Sequence, residues 1–237
     1  MIRHFTLLMV CGALLICGSA DAKTAASRFL QPGELDASLV LPPPPAADSP
    51  QARSELAELH TLEGSRSPAR LAQAQHDAEV ENVTAIAEVL GPALNLDQRP
   101  ATAKLFADLR AEDELAASAA KAYFHRLRPW AADAALGASP ALAQCDKGAP
   151  NSSYPSGHAT MGFAAGAVLA QLMPGQAQAV LARASDYAYS RVVCGVHYRS
   201  DIEAGHVLAT ALVAKLMTKP AFTAELEAAR AELAAAH

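Results

Sequence analysis

Residues 155–173, PSGHATMGFAAGAVLAQLM, join a polar cluster to a run of small and apolar side chains. From Ala159 onward the run is about 15 residues long, too short to cross the roughly 30 Å of hydrocarbon in a bilayer. A second run of this kind, IEAGHVLATALVAKLM, occupies residues 202–217. We therefore predict that both runs are central helices of a soluble bundle, with polar groups at their N-terminal ends.

The rest of the chain favours helices as well. Ala, Leu, Glu and Arg dominate from Ser54 onward, and no strand alternation of useful length occurs. Apolar residues recur at three- and four-residue spacing in segments separated by Gly or Pro. The predicted fold class is all-α, a compact single-domain helical bundle. Its predicted helices are residues 51–62, 67–90, 101–125, 157–172, 176–193, 201–217 and 220–236.

Composition limits the classes of function. The chain has 237 residues, of which 51% are hydrophobic and 18% charged, enough for one sizeable core and too apolar for a disordered chain. The formal net charge of -5 argues against a surface that attracts nucleic acid as a whole. Any anion site must therefore be a local group of cations, and no nucleic-acid partner is expected.

Residues 1–22 have the three-part pattern of a secretory signal: a basic start, an apolar run and small residues before the exit. We predict cleavage near Ala22 and a periplasmic or secreted mature protein; an N-terminal membrane anchor is the alternative. Residues 23–50 contain LPPPPAADSP, which cannot form a helix through its prolines and predicts an extended leader. Residues 51–237 then form the helical domain.

Two cysteines, Cys145 and Cys194, remain after removal of the signal sequence. An even number in a chain bound for an oxidising compartment favours a disulfide. Such a bridge would close a loop of about 50 residues and stabilise the fold by roughly 4 kcal/mol. Two separate buried thiols are the alternative.

The segment KAYFHRLRPW, residues 121–130, carries the first polar cluster. On a continuous helix Lys121 and Arg128 would lie about 20° apart, because seven steps of about 100° make about 700°. Pro129 disfavours helical geometry at Arg128, so the helix is predicted to end there and the guanidinium to turn inward. Two cations on one face indicate an anion between them; a solvated basic helix end is the alternative.

The second cluster is PSGH, at the start of the first apolar run. Ser156 is a natural N-cap, and Gly157 allows the backbone to approach a ligand closely. A helix start that carries a glycine, a hydroxyl and an imidazole is suited to phosphate. Capping alone would explain Ser156, but it would not explain His158.

The third cluster is SRVVCGVHYRSD, residues 190–201. Asp201 follows His197 by four residues, so its carboxylate can hold one ring nitrogen and leave the other to act as base or nucleophile. Arg191 adds a third cation, with a planar donor fork that suits phosphate oxygens. A surface ion pair is the alternative for His197 and Asp201.

Lys-x6-Arg-Pro, Pro-Ser-Gly-His and Ser-Arg-x5-His-x3-Asp follow one another with 25 and 31 residues between them. This order resembles the tripartite signature of the phosphatidic-acid-phosphatase-type superfamily. Within that superfamily the chain looks like the bacterial class A non-specific acid phosphatases, which are secreted and helical. LPPPP at residues 41–45 and YFHRLRPW at residues 123–130 resemble that group too, and no signature position departs from its pattern.

The resemblance implies a bundle of the acid phosphatase and vanadium-dependent haloperoxidase type that hydrolyses phosphomonoesters. It makes His197 the nucleophile that forms a phosphohistidine, Asp201 the group that orients it, and His158 the proton donor to the leaving group. The groups expected to hold the phosphate oxygens are Lys121, Arg128, Ser156, Gly157 and Arg191. The resemblance further implies no metal or other cofactor, an acidic pH optimum, small phosphomonoesters as partners and no membrane contact of the mature chain.

Several alternatives stay open. Vanadium haloperoxidases share the signature, with vanadate in the phosphate position, although they are usually much longer chains. A hydrolase of narrower specificity, a diphosphatase or a phosphotransferase would carry the same residues, and association into a homo-oligomer is undecided. A protein that only binds phosphate would need the cations but neither His158 nor the His197–Asp201 pair.

Two further residues are predicted to have structural roles. Ser190, although part of the third block, is expected to support a catalytic side chain rather than to touch substrate. His206 lies within the second apolar run and is expected to be packed in the core.

Overall fold

The computed structural model describes residues 27–145 and 148–235, and the predicted signal sequence at residues 1–22 lies outside them. Within these ranges the chain forms helices and no β-strand, which confirms the all-α prediction. The α-helices are α1 Ala37–Val40, α2 Pro50–Ser65, α3 Pro68–Glu79, α4 Thr84–Ala87, α5 Pro100–Phe124, α6 Pro129–Ala132, α7 Ala134–Gly137, α8 Gly157–Leu172, α9 Ala177–Val193, α10 Arg199–Leu216 and α11 Pro220–Ala234.

The predicted helix over residues 67–90 is wrong in its second half. Helix α3 ends at Glu79, and α4 begins only at Thr84. Between them the Asn82 side-chain oxygen accepts hydrogen bonds from the backbone N–H of Thr84 at 2.8 Å and from its hydroxyl at 2.6 Å. This local bond competes with helical hydrogen bonding, and helical spacing alone does not reveal it. The break turns Glu81 toward the pocket described below.

Helix α8 is the centre of the bundle, packed against α5, α9 and α10. Its glycines allow close approach: a Cβ on Gly162 would lie 2.7 Å from Cδ1 of Tyr187 in α9. In α10, a Cβ on Gly205 would lie 2.8 Å from the Cβ of Ala159. Small residues in the two apolar runs thus let the helices pack at short range, as expected of central helices in a close-packed core.

The leader predicted at residues 23–50 is described from residue 27, and apart from α1 it forms no α-helix before Pro50. It packs on the bundle. The Phe29 ring is buried edge-on against Phe222 of α11, with ring centroids 5.4 Å apart. Glu112 of α5 accepts backbone hydrogen bonds from Arg28 and Phe29 at 2.6 and 2.7 Å. The leader therefore contributes to the core.

The predicted disulfide between Cys145 and Cys194 is present, with the two Cα atoms 6.1 Å apart. It ties the segment that follows α7 to the end of α9. In the part of the chain described, no single helix is long and apolar enough to cross a membrane. Helices α10 and α11 meet that length and composition only when taken together, and they are bent by 95°.

Candidate active site

The three polar clusters meet in one pocket of about 220 Å³, formed at the end of α5, the start of α8 and the segment before α10. Five residues predicted from the sequence line it: Lys121, Arg128, Gly157, His158 and His197. The other three predicted residues are buried in the same region: Ser156, Arg191 and Asp201. The remaining lining residues are Glu81, Arg110, Asp113, Glu114, Ala117, Ser118, Gly148 and Ser152.

His197 has a distinct partner on each ring nitrogen. Its Nδ1 lies 3.3 Å from Oδ2 of Asp201, one turn further along in α10. Its Nε2 lies 3.0 Å from Nη1 of Arg128. Because a guanidinium can only donate, Nε2 carries the lone pair and Nδ1 carries the proton that Asp201 accepts. The atom available for attack is therefore Nε2.

Asp201 is itself held by residues that the sequence analysis missed. Arg126 donates from Nη1 to Oδ1 of Asp201 at 2.7 Å and from Nη2 to Glu55 at 2.9 Å. The Ser153 hydroxyl donates to Oδ2 at 2.6 Å. Burial raises the pKa of Asp201 to about 6, while Arg126 and Ser153 act in the opposite direction. This network keeps a buried carboxylate in place behind His197.

A signal for two of these residues exists in the sequence. Arg126 comes two residues before Arg128 in HRLRP, and Ser153 comes two residues before Pro155 in NSSYPSGH. Arg126 sits inside the first block at a position that the tripartite pattern leaves variable, and Ser153 lies just before the second block. Glu55, by contrast, lies on α2, far away in sequence, and only the fold brings it to Arg126.

His158 is buried at the first turn of α8. The Ser156 hydroxyl caps this helix by accepting a hydrogen bond from the Ala159 N–H at 3.3 Å. The Nε2 atom of His158 lies 3.3 Å from the Ala78 carbonyl oxygen, and Nδ1 lies 3.4 Å from Oε1 of Glu81. One nitrogen is thus held by backbone, while the other faces the pocket and a carboxylate.

Burial and nearby cations lower the pKa values of Lys121, His158 and His197. Burial and then Arg128 lower the pKa of Lys121 to about 8. Burial also lowers the pKa of His158 and of His197 well below the ordinary value, with Arg191 the next cause for His158 and Arg128 for His197. Both imidazoles therefore favour the neutral state until an anion offsets these cations.

The chain turn after α5 brings Arg128 inward, as predicted, but Lys121 and Arg128 do not share one helix. Helix α5 ends at Phe124, and His125 adopts a left-handed conformation with φ of 51°. The Arg128 guanidinium then donates to the Val196 carbonyl oxygen at 3.1 Å. The turn, rather than helical spacing, brings the two cations together.

Two glycines leave room for a ligand and for Arg128. A Cβ on Gly157 would lie 3.5 Å from Nζ of Lys121 and 3.8 Å from Oε1 of Glu81, inside the pocket. Gly148 has a φ of +60°, and a Cβ there would collide with the Arg128 guanidinium. Gly157 was predicted from the sequence. Gly148 was missed, because nothing in the sequence before it marks a left-handed position.

The two structural predictions have different outcomes. Ser190 hydrogen-bonds to the buried Asp77 and accepts from Arg70 at 3.0 Å; neither partner is a predicted catalytic residue, so its support of a catalytic side chain stays a prediction. The expectation that His206 is packed in the core is wrong. Its ring is exposed and stacks on Phe163 with centroids 4.1 Å apart, because that face of α10 points to solvent.

Among the residues described, no group of three or more His, Cys, Asp or Glu side chains is arranged to hold a metal ion. The pocket instead gathers cations, a helix start and two imidazoles with different hydrogen-bond partners. This combination suits a tetrahedral dianion placed between a nucleophilic nitrogen and a proton donor.

Comparison with known proteins gives matches that include both histidines of the pocket. The pattern of the PAP2 superfamily matches residues 110–223. A non-specific acid phosphatase of Providencia stuartii is 32% identical over 210 residues, which cover 84% of this chain and 82% of that protein. One of Salmonella typhimurium is 32% identical over 225 residues, with coverages of 93% and 89%. An acid phosphatase of Zymomonas mobilis is 28% identical over 243 aligned residues, with coverages of 98% and 90%.

Proposed function

We propose that this chain, which belongs to the PAP2 superfamily and is a class A acid phosphatase, hydrolyses a broad range of phosphomonoesters through a phosphohistidine and without a metal ion. The observation that carries this proposal is the arrangement of His197. Its Nδ1 is held by Asp201 and its Nε2 lone pair faces a cationic pocket. A protein that only bound phosphate would have no use for a nucleophile aligned in this way.

In the first step, Nε2 of His197 attacks phosphorus in line with the ester oxygen. The new N–P bond forms as the P–O bond breaks, and His158 gives its Nδ1 proton to the departing oxygen, which leaves as an alcohol. Asp201 stabilises the positive charge that the phosphorylated ring acquires. In the second step, neutral His158 takes a proton from water, the resulting hydroxide attacks phosphorus, and the N–P bond breaks to release phosphate.

The equatorial oxygens would be held by the cations and the helix start. Arg128, Lys121 and Arg191 supply positive charge, and the N–H of Gly157 lies at the N-terminus of α8. An incoming phosphoryl oxygen would take over the Arg128 hydrogen bond that Nε2 of His197 now accepts. Phosphoryl transfer needs mainly positioning and charge stabilisation, which these groups supply without Lewis-acid help.

The pH dependence follows from the two imidazoles. Burial and Arg191 lower the pKa of His158, so its protonated form grows as the solution becomes acidic. The pKa of His197 is lowered too, so this ring stays unprotonated and able to attack in the same range. We therefore expect kcat/KM to reach its maximum on the acidic side of neutrality. A pH–rate profile with its maximum well above pH 8 would contradict the assignment.

We also propose that residues 1–22 direct export and are cleaved near Ala22, so that the mature chain acts in the periplasm or outside the cell. The Cys145–Cys194 disulfide supports this, because such bonds persist in oxidising compartments.

The test is an assay of the purified mature chain with p-nitrophenyl phosphate in excess chelator, beside His197→Ala. We expect the wild type to release p-nitrophenol and the variant to lose at least about 10³-fold in kcat. No product from the wild type, or equal activity of the variant, would refute the proposal. Halide oxidation by peroxide after vanadate loading, without phosphatase activity, would favour the haloperoxidase alternative.

A further inference from the structure

Glu81 occupies a position beside His158 that none of the three sequence blocks supplies. It lies in the non-helical segment between α3 and α4, and its Oε1 is 3.4 Å from Nδ1 of His158. The Glu81 side chain is 37% exposed and lines the pocket, whereas the His158 side chain is only 6% exposed. The carboxylate thus lies on the solvent side of the imidazole, where a leaving group must depart.

Arg110 of α5 fixes this carboxylate in place. Its Nη2 lies 3.3 Å from Oε2 of Glu81, and its Nε donates to the Glu81 backbone oxygen at 3.1 Å. Arg110 is held in turn by Asp113 at 3.2 Å and Glu114 at 3.7 Å. Because Arg110 takes Oε2, the other oxygen of Glu81 remains for His158.

The backbone partner of His158 decides which nitrogen Glu81 meets. The Ala78 carbonyl oxygen can only accept, so in the neutral ring the proton lies on Nε2 and Nδ1 presents a lone pair. A lone pair facing a carboxylate is unfavourable. A proton on Nδ1 turns the same contact into a charge-assisted hydrogen bond, so Glu81 favours the acid form of His158 at the nitrogen that faces the pocket.

The hydrogen bond to the Ala78 carbonyl oxygen also favours a protonated ring and raises the pKa of His158, whereas burial and the nearby cations lower it. Arg191 of α9, Lys121 and Arg110 of α5 and burial of the ring all disfavour a second proton. Tyr187 stacks on the ring with centroids 6.0 Å apart, and His197 lies across the pocket. Glu81 is the carboxylate that approaches within ion-pair distance among the residues described.

We infer that Glu81 is a positioning residue that keeps the acid proton of His158 on Nδ1 until the leaving-group oxygen replaces the carboxylate as its acceptor, and that Arg110 holds Glu81 for this task. The inference rests on the proposed function, since it assigns a partner to the proton donor of that mechanism. Glu81 exchanges no proton with substrate itself. Its charge sets how far into neutral pH His158 remains an acid.

The test compares wild type and Glu81→Gln on two substrates across pH, an alkyl phosphate and p-nitrophenyl phosphate. With Glu81→Gln we expect the alkaline limb of kcat/KM for the alkyl phosphate to move down by about one pH unit. At a pH on this limb kcat/KM for the alkyl phosphate then falls about tenfold, because one pH unit is a factor of ten in the protonated fraction. p-Nitrophenolate leaves without a proton, so the effect on that substrate is smaller.

Three controls separate this role from a structural one. Glu79→Gln removes an exposed carboxylate two residues away at the end of α3 and should leave the profile unchanged. Glu81→Asp keeps the charge and should recover most of the alkaline limb. Inorganic phosphate should inhibit Glu81→Gln at least as well as wild type, because a negative charge has left the pocket.

An unmoved alkaline limb, or equal losses on both substrates, would overturn the inference. Weaker inhibition by phosphate would also overturn it, because that result indicates a damaged site. A wild type that hydrolyses neither substrate would instead refute the proposed function.

Discussion

The two walls of the pocket hold their histidines in opposite ways. On the nucleophile wall, made of His197, Asp201 and Arg126, the His197 and Asp201 side chains are almost fully buried and both ring nitrogens have partners within 3.3 Å. On the acid wall, made of His158, Glu81 and Arg110, one ring nitrogen has a backbone partner and the other faces a half-exposed carboxylate. The side chains of His197 and Asp201 are thus shielded from solvent, whereas Glu81 on the acid wall is accessible to it.

This difference matches the two chemical roles. A nucleophile needs one tautomer and one direction of attack, which a buried carboxylate on Nδ1 supplies. A group that gives a proton to an alkoxide and then takes one from water needs access to both. The contrast therefore predicts that substitutions on the nucleophile wall affect all substrates alike, whereas those on the acid wall depend on the leaving group.

The largest effect should come from His158→Ala. With an alkyl phosphate we expect kcat to fall roughly 10²- to 10⁴-fold, the usual contribution of general acid catalysis. With p-nitrophenyl phosphate the loss in the first step should be much smaller, because that leaving group departs as an anion. Pre-steady-state rates of phenol release measure it. His206→Ala is the matched control, since that ring is exposed and stacks on Phe163 outside the pocket. Equal losses in the first step on both substrates would contradict the predicted difference between the two walls.

A smaller, uniform effect is expected from Arg126→Lys. A lysine cannot contact Asp201, Ser200 and Glu55 together as the guanidinium does. We expect kcat to fall about 10- to 100-fold, the range seen when a group that orients a functional histidine is lost. The fall should be the same for alkyl and aryl phosphates, with KM nearly unchanged.

Arg53→Lys is the control for Arg126→Lys, because the exposed Arg53 side chain bonds to the Asp48 carbonyl oxygen and does not line the pocket. Initial rates on both substrates provide the measurement. A loss with Arg126→Lys that depends on the leaving group would show that Arg126 does not act through His197 and Asp201.

The smallest effect on chemistry and a gain in stability are expected from Asp113→Asn. Asp113 lies behind Arg110, its Oδ1 has no hydrogen-bond partner among the described residues, and burial raises its pKa to about 8. The folded chain therefore holds a proton that the unfolded chain loses above about pH 4, so stability falls as pH rises from about 4 to about 8.

An asparagine at this position carries no such penalty. We expect the Tm of Asp113→Asn to match wild type near pH 4 and to exceed it by about 5 °C near pH 8. Thermal unfolding followed by circular dichroism at both pH values tests this. Asp201→Asn, on the nucleophile wall, is the contrasting variant: it removes a fully partnered carboxylate and should lower kcat by a similar factor for alkyl and aryl phosphates. An Asp113→Asn variant less stable than wild type at pH 8 would show that its charge is needed in the fold.

The sequence predicts the nucleophile wall better than the acid wall, and the reason is physical. His197 and Asp201 lie four residues apart in one short segment, so local pattern reveals both, although it missed Arg126. Glu81 depends on a helix break that an asparagine side chain creates at Asn82, which helical periodicity does not reveal.

The same distinction between local pattern and tertiary contact explains which parts of the fold the sequence predicts. The central helices α8 and α10 follow from composition and length, and their bounds differ from the prediction by at most two residues at each end. Where tertiary contacts determine whether a residue is buried, the sequence pattern alone does not predict the outcome. The leader looked like an appendage, yet Phe29 is buried against α11, and His206 looked like a core residue although its helix face is exposed.

The central claim is that Nε2 of His197 takes the phosphoryl group, and trapping tests it directly. His158→Ala should slow attack by water more than phosphorylation by p-nitrophenyl phosphate, so the intermediate should accumulate after rapid mixing. Quenching in base, digestion and mass spectrometry should then find an acid-labile phosphoryl group on the peptide that contains His197. Turnover without any phosphoryl group on that peptide, or with the group on another residue, would contradict the mechanism.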